Sequence, residues 1–141
     1  MGSSDVVSST TIEWVVGNDQ YNEASRTQLK LRRLVRLKRI VIGDDCFGKV
    51  RVFELNGLGE LESVVIGKDS FRISYYERSD GYYRIVNCPK LKSIQIGNRS
   101  FQDYHSFELN NLPSLQSIIF GKNSTCYTPS FSLTGLIDGL V

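Results

Sequence analysis

Two kinds of hydrophobic segment alternate along the chain. The first kind reads LKRIVIGDDCF at 37–47, LESVVIGKDSF at 61–71, LKSIQIGNRSF at 91–101 and LQSIIFGKNST at 115–125. The second kind reads FELNGLGEL at 53–61, YRIVNCPKL at 83–91, FELNNLPSL at 107–115 and FSLTGL at 131–136. A motif that recurs at regular intervals is typical of a solenoid, in which each repeat stacks on the next.

The spacing of the leading leucines defines the repeat. Leu37 lies 24 residues before Leu61, and Leu91 lies 24 residues before Leu115, whereas 30 residues separate Leu61 from Leu91, so one unit has six extra residues. Extending the pattern in both directions predicts an N-terminal extension (1–10), a C-terminal tail (139–141) and a single solenoid of five units between them. The units are 11–36, 37–60, 61–90, 91–114 and 115–138.

Alternation with a period of two predicts that each unit contains two extended segments. In the first segment, apolar residues at every second position are typical of a half-buried strand, and stacked units would form a parallel sheet. The predicted inward slots hold Trp14, Ile40, Val64, Ile94 and Ile118, then Val16, Ile42, Ile66, Ile96 and Phe120. The second segment also alternates, as in Phe53 and Leu55, and predicts a shorter strand, with a 3₁₀ turn as the alternative. The predicted fold class is therefore mainly β, a solenoid of about five coils of ~24 residues.

Two slots in the repeat favour glycine or asparagine and predict corners. The first slot follows the first strand and holds Gly17, Gly43, Gly67, Gly97 and Gly121. Glycine there indicates either a positive φ or a close approach between coils. The second slot holds Gly57, Asn87, Asn111 and Gly135. Because asparagine tolerates the left-handed region, we expect that conformation at this slot, with a looser corner at Arg33.

The LxxIxI strand and the 24-residue spacing resemble the leucine-rich-repeat superfamily. The likeness covers roughly 11–138 and is greatest to the irregular, BspA-like arrays of eukaryotic microbes, which combine LxxIxI, a glycine, a Ser-Phe pair and an FxLxxL half. The asparagine ladder of the commonest leucine-rich repeats is absent, and glycines such as Gly43 stand after the strand, which favours a flatter coil. The resemblance implies protein–protein recognition over the exposed face of the main parallel sheet, and it brings no catalytic residue with it.

Composition and motifs indicate a folded, non-catalytic protein. The 141 residues are 40% hydrophobic and 23% charged, with a net charge of +2, which argues against disorder. Cys46, Cys88 and Cys126 are odd in number and contain no CxxC pair, so neither a disulfide framework nor a zinc site is expected. His105 is the only histidine, and no phosphate-binding or metalloprotease motif is present. We therefore expect no enzyme activity, cofactor or metal.

Two features are candidates for binding a partner protein. The first is the outward side of the main sheet, where an apolar row would form a patch typical of an interface. Its candidate residues are Val15, Arg39, Val41, Ser63, Val65, Ser93, Gln95 and Ile119. The second is the insertion RISYYERSDGYY at 72–83, in which Tyr75, Tyr76 and Tyr82 accompany Ser, Asp and Gly, a mixture typical of binding loops. Tyrosines that fold back onto a neighbouring coil are the alternative.

Other functions remain open at this point. A basic stretch at 26–39 suggests binding to nucleic acid or an anionic membrane surface, although a solvated face is favoured because its leucines belong to the repeat and no aromatic platform accompanies it. The chain also resembles a structural segment of a longer array. Gly139 occupies the slot of the next leading leucine and no polar cap follows, which predicts self-association through an uncapped end. No secretory signal or transmembrane segment is visible, and the expected location is cytoplasmic.

Overall fold

The computed structural model describes residues 6–73, 81–124 and the backbone of 130–136. These residues form ten strands and no helix, as the alternating pattern predicts. The strands are β1 (Glu13–Val16), β2 (Gln28–Arg32), β3 (Arg39–Ile42), β4 (Val52–Asn56), β5 (Ser63–Ile66), β6 (Tyr82–Val86), β7 (Ser93–Ile96), β8 (Ser106–Leu112), β9 (Ser117–Phe120) and β10 (Ser130–Leu136). The second segment of each unit is therefore a strand and not a 3₁₀ turn.

The strands form two parallel five-stranded sheets, so the protein is a β-solenoid. The first sheet has the order β1-β3-β5-β7-β9, and the second has the order β10-β8-β6-β4-β2. From β1 to β9 the chain makes about four turns, and each turn adds one strand to each sheet. The predicted stacking is confirmed, because Ile42 pairs with Ile66, and Ile66 pairs with Ile96.

Inward side chains from both sheets form one continuous core. Ile40, Val64 and Ile94 from the first sheet and Phe53 and Leu55 from the second are fully buried. The leucine slot of the second segment also points inward, as the repeat predicts. It holds Leu34, Leu58, Cys88 and Leu112, all of which are buried. Because each coil presents its apolar side chains to the next one, the core exists only through stacking.

A stack of aromatic rings runs along one corner of the solenoid. The rings of Phe47 and Phe71 are 5.1 Å apart, and those of Phe71 and Phe101 are 4.6 Å apart, with interplanar angles of 10° and 9°. All three phenylalanines have a positive φ, between 55° and 56°. A left-handed backbone is costly for a bulky residue, so the burial and stacking of these rings must offset that cost.

The two glycine-containing corners have different structural causes. Gly57 has a φ of 72°, and Asn87 and Asn111 at the same slot have φ values of 57° and 58°, so this corner is left-handed as predicted. Arg33 has the same conformation, with a φ of 59°. The glycine that follows the first strand has no positive φ. A Cβ on Gly97 would instead lie 2.5 Å from the carbonyl carbon of Gly67 in the preceding coil. Of the two explanations for this slot, close approach between coils is therefore the one that holds.

Small polar side chains join the coils at the close-approach corner. The hydroxyl of Ser70 donates to the Gly43 carbonyl at 2.8 Å, and the hydroxyl of Ser100 donates to the Gly67 carbonyl at 2.6 Å. Each serine also accepts from the backbone of the preceding coil, because the Cys46 amide bonds Ser70 and the Ser70 amide bonds Ser100. Each of these buried hydroxyls therefore donates one hydrogen bond and accepts another, which explains the serine in the G-x-x-S-F pattern.

The two ends of the first sheet differ. At the N-terminal end, the inward Trp14 and Val16 are buried, and Val7 is buried in the same cluster. At the other end, the inward Ile118 is only partly buried and Phe120 is 39% exposed. Residues 6 and 7 therefore cover the N-terminal end of the described core, whereas the inward side chains of β9 are less buried than those of the other strands of the first sheet.

Candidate binding face

The outer face of the first sheet carries two rows of side chains in register. The polar row, one residue from each strand, consists of Glu13, Arg39, Ser63, Ser93 and Ser117. The second row, here called the apolar row, consists of Val15, Val41, Val65, Gln95 and Ile119. The strand pairing places each residue directly beside its counterpart in the next strand. Because neighbouring strands lie about 4.8 Å apart, each row spans roughly 19 Å. The structure thus brings together all eight predicted residues of this face.

The apolar row is open to solvent. Val15 is 61% exposed and Ile119 is 56% exposed, while Val41 and Val65 between them are half-buried by their neighbours. Gln95 is the one polar member of the row and is also exposed. Four β-branched aliphatic side chains on a solvated sheet face are unusual, since such faces are normally polar, and contiguous apolar surface is typical of an interface.

The polar row contributes little internal structure. Arg39 and Glu13 form an ion pair of 3.5 Å, but both side chains are more than half exposed, so its net contribution to stability is small. Ser63, Ser93 and Ser117 continue the row as short, half-buried hydroxyl residues. A partner approaching this face would meet a flat surface with one charged pair at its first edge and hydroxyl groups along the rest.

The outer face of the second sheet is organised differently, by a ladder of alternating charges. Lys30, Glu54, Arg84 and Glu108 occupy the same slot in successive strands. Arg84 donates to Glu54 at 2.6 Å and to Glu108 at 2.7 Å, and Arg32 donates to Glu54 at 2.7 Å. Glu54 is only 2% exposed although it points outward, because the two arginines cover it.

The charge ladder is not among the features predicted from the sequence, although the sequence contains a signal for it. Each charged residue lies between two inward apolar residues, as in the FEL of 53–55, and the sign alternates from coil to coil. In the folded chain, the hydrogen bond from Arg84 lowers the pKa of Glu108, and the same bond raises the pKa of Arg84. This face is therefore engaged in its own ion pairs.

The predicted tyrosine loop is only partly visible. Tyr75 and Tyr76 lie outside the described residues. Tyr82 is the first residue of β6 and is half-buried on the outer face of the second sheet, paired with Val52 and Ser106. The structure therefore places Tyr82 on the opposite side of the solenoid from the apolar row, and the two candidates do not form one continuous surface.

The basic stretch is partly neutralised by acidic neighbours. Arg26 pairs with Glu23 at 3.2 Å, and Arg32 and Arg39 pair with Glu54 and Glu13 as described above. Lys30 lies beside Glu54 in the charge ladder, and the positive charges at 33, 36 and 38 surround one exposed turn between the two sheets. This arrangement resembles an ordinary solvated edge more than a continuous cationic groove.

An open depression of about 600 Å³ lies beside the aromatic corner, and its lining includes Asp45, Asp69, Asp103 and Arg72. Arg99 donates hydrogen bonds to both carboxylate oxygens of Asp69, at 2.7 and 2.8 Å. Arg72 also donates to Asp69, at 3.1 Å. The hydrogen bond from Arg99 lowers the pKa of Asp69. Within the part of the chain that the structure describes, no group of three His, Cys, Asp or Glu side chains is arranged to hold a metal ion.

The described cysteines are buried in the core, whereas the histidine lies at the surface. Cys46 and Cys88 are buried free thiols. Burial raises the pKa of Cys46, and burial raises the pKa of Cys88 to about 11, so both are protonated at neutral pH. Cys46 fills the serine slot and its thiol contacts the Gly17 carbonyl at 3.0 Å. His105 is exposed in the turn before β8.

Comparison of the chain with protein-family models, with curated proteins and with solved structures finds no match. No helix that could span a membrane occurs among the described residues. The repeat and the geometry of its two faces are therefore the basis for the functional proposal.

Proposed function

We propose that this protein is a non-catalytic scaffold that binds a partner protein through the outer face of its first sheet. The observation that carries the proposal is the exposed apolar row, in which Val15, Val41, Val65 and Ile119 stand in register on a solvated surface. Apolar area removed from water by a partner would supply the main part of the binding free energy.

The difference between the two sheets supports this choice of face. On the second sheet, a partner would have to replace the ion pairs that Glu54 and Glu108 form with arginines. Leaving a buried charge without its partner is costly, so that face is a poor binding surface. On the first sheet, no such network must be broken, because its single ion pair between Glu13 and Arg39 is exposed.

The resemblance to leucine-rich repeats agrees with this proposal. We propose that the chain belongs among the irregular, BspA-like arrays, whose parallel sheet is the usual surface for protein recognition. The tyrosine-rich insertion, with Tyr75, Tyr76 and Tyr82, is proposed as a second contact. Since Tyr82 lies on the second sheet, a partner that touches both regions would have to reach around the edge of the solenoid.

The test compares two double variants with the wild type. The first variant, Val41→Lys with Val65→Glu, places opposite charges at paired positions of the apolar row, so the strands themselves are not repelled. The control, Ile12→Glu with Val35→Lys, makes the same change at two exposed apolar residues that line one shallow site away from the sheet face. Circular dichroism and the thermal midpoint establish that both variants fold.

Partner capture is measured by quantitative mass spectrometry of affinity-purified material, followed by a titration of the recovered protein with each purified variant. We expect the first variant to lose binding at least about tenfold, and the control to bind like the wild type, since 1.4 kcal/mol is a tenfold change. Equal binding by all three proteins would show that the first-sheet face is not the interface.

Binding to nucleic acid or to an anionic membrane remains a second proposal, supported by the exposed positive turn at Arg33, Arg36 and Lys38. Contacts with phosphates make binding steeply dependent on salt. The test measures how much RNA or how many anionic vesicles the protein retains between 50 and 200 mM salt. A sharp fall in retention in the wild type, but not in the double variant Arg33→Gln with Arg36→Gln, would support this proposal.

A structural role within a longer array is the third proposal. It predicts that neither the apolar-row variant nor the arginine variant changes any binding measurement.

A further inference from the structure

Two exposed aliphatic side chains accompany the positive turn at one edge of the solenoid. Ile12 is 54% exposed and Val35 is 68% exposed. Together with Arg36, Lys38 and Glu60 they line one shallow depression of about 230 Å³. The Lys38 amide donates to the Ile12 carbonyl at 2.7 Å, so the backbone itself fixes Ile12 beside the turn. An apolar pair is therefore combined with cations on one small patch of surface.

The packing of the coils does not explain these two aliphatic residues. Neither Ile12 nor Val35 belongs to the core or to the side chains packed against it. The strand register defines the equivalent positions in the later coils, and none of them holds an aliphatic residue. The slot of Ile12 holds Lys38, Glu62, Lys92 and Gln116, and the slot of Val35 holds Gly59, Pro89 and Pro113. The repeat thus tolerates polar residues, glycine and proline at these positions.

The charge around the apolar pair is positive. Arg33, Arg36 and Lys38 are exposed, and none of them takes part in the ion pairs found among the described residues. Glu60 is the acidic residue of the depression, but Lys90 pairs with it at 3.0 Å and offsets its charge. The patch therefore presents cations and hydrocarbon side by side, a combination typical of proteins that bind the surface of a membrane.

We propose that this turn binds an anionic phospholipid membrane, with Ile12 and Val35 entering the headgroup region and the three cations contacting the lipid headgroups. The inference rests on the second proposal for the positive turn and narrows it to a membrane. Cations gain free energy from the negative surface potential of such a membrane, and buried aliphatic area adds to it. Nucleic acid would use the cations and aromatic stacking, and it gains little from aliphatic side chains.

The shape of the patch also favours a membrane over a small ligand. Sites for small molecules are concave and bury most of the ligand surface. Here both aliphatic side chains are more than half exposed, so a flat surface can contact them together. With only two aliphatic residues and three cations, the binding is reversible and not a permanent anchorage.

Co-sedimentation of the purified full chain with phosphatidylcholine vesicles, with and without phosphatidylserine, tests the charges. We expect binding only when phosphatidylserine is present. The variant Arg36→Gln with Lys38→Gln should bind at least about tenfold more weakly. The control, Lys68→Gln with Lys92→Gln, removes two exposed lysines of later coils that likewise take part in none of the described ion pairs, and should bind like the wild type.

A second pair of variants tests the aliphatic side chains at constant charge. Ile12→Ser with Val35→Ser should weaken binding to the phosphatidylserine vesicles at least about tenfold, because hydrocarbon no longer leaves water. The matched control, Val15→Ser with Ile119→Ser, removes two residues of similar exposure from the first-sheet face and should leave vesicle binding unchanged. The same four proteins are titrated with RNA.

A fluorescent label reports whether the turn enters the lipid. Val35→Cys is labelled with an environment-sensitive dye in a chain where Cys126, outside the described residues, is serine and where Cys46 and Cys88 are buried. Its emission should shift to the blue on phosphatidylserine vesicles. Pro113→Cys, an exposed position at the same slot three coils later, should show no shift.

The outcomes separate this inference from the proposals on which it depends. Retention of vesicles or RNA that requires the cations but is equal in the wild type and the Ile12 and Val35 serine variant would overturn the membrane inference, while the positive turn would remain a binding site. A blue shift at both labelled positions would also overturn it. No retention of either vesicles or RNA at any salt concentration would overturn both. Protein-partner capture is measured separately and does not enter these results.

Discussion

Replacing Gly97 by alanine should destabilise the protein strongly, because the methyl group has no room. Its Cβ would lie 2.5 Å from the carbonyl carbon and 2.7 Å from the carbonyl oxygen of Gly67, and 2.7 Å from the amide nitrogen of Lys68. Non-bonded carbon atoms are normally about 3.5–4.0 Å apart, so the two coils would have to separate locally by about 1 Å. All three neighbours are backbone atoms of one coil, so no side chain can turn away to relieve the contact.

The structure also offers a matched control for this substitution. Gly17 occupies the same slot in the first described coil, where an added Cβ meets nothing within 4 Å. Gly17→Ala should therefore be neutral or stabilising by about 0.4–1 kcal/mol, since alanine restricts the unfolded chain. Gly97→Ala should lose about 3 kcal/mol, the upper part of the range for overpacking.

Urea denaturation monitored by far-UV circular dichroism measures both free energies of unfolding. The expected result is a lower midpoint for Gly97→Ala with an unchanged m value, which indicates loss of stability and not of compactness. If the two alanine variants unfold within about 0.5 kcal/mol of each other, which is the usual spread of neutral substitutions, close approach is not the reason for glycine at this slot.

Three further predictions concern charges and thiols. Glu54→Ala should lower the free energy of unfolding, measured by urea denaturation, by about 2 kcal/mol, because it removes the buried acceptor of two arginines. The control Glu60→Ala, in an exposed pair with Lys90, should lower it by less than about 1 kcal/mol. Equal losses in the two variants would contradict the role of the charge ladder. The pKa values of Asp69 and Glu108 are lowered in the folded protein, so the stability that these carboxylates contribute is fully present above about pH 5. This stability is lost as the pH falls through their pKa values in the folded protein, and the urea midpoint should therefore decrease between about pH 5 and pH 3. A midpoint that is constant over this range would refute the assignment. Because the pKa of Cys88 is about 11 and its side chain is buried, a thiol reagent at pH 8 should label it only as fast as the chain unfolds, and rapid labelling in native buffer would show that the site is open.

The sequence predicted the parts of the fold that depend on local alternation and on repetition. The register of Ile42, Ile66 and Ile96 follows directly from the recurring LxxIxI segments, and the inward slot of Leu58 and Cys88 follows from the second segment. The outward rows follow from the same alternation, because every residue between two inward positions must point to solvent.

Other features required the three-dimensional stacking. A left-handed Phe71 contradicts the local preference of aromatic residues, and only the rings above and below it explain the conformation. The partners of Glu54 lie 22 and 30 residues away in sequence, so no short-range pattern identifies them. The sequence pattern assigns Tyr82 to the insertion, but its pairing with Val52 and Ser106 places it on the second sheet.

The alternating signs along the second sheet also limit how such a protein can change its length. Positive Lys30, negative Glu54, positive Arg84 and negative Glu108 follow one another across adjacent strands. Deleting the coil that carries Arg84 would bring Glu54 beside Glu108, and two carboxylates at paired positions repel each other. Deleting or duplicating two adjacent coils at once preserves the order of signs. Gene rearrangements that add or remove an even number of repeats would therefore be tolerated better than those that add or remove one repeat.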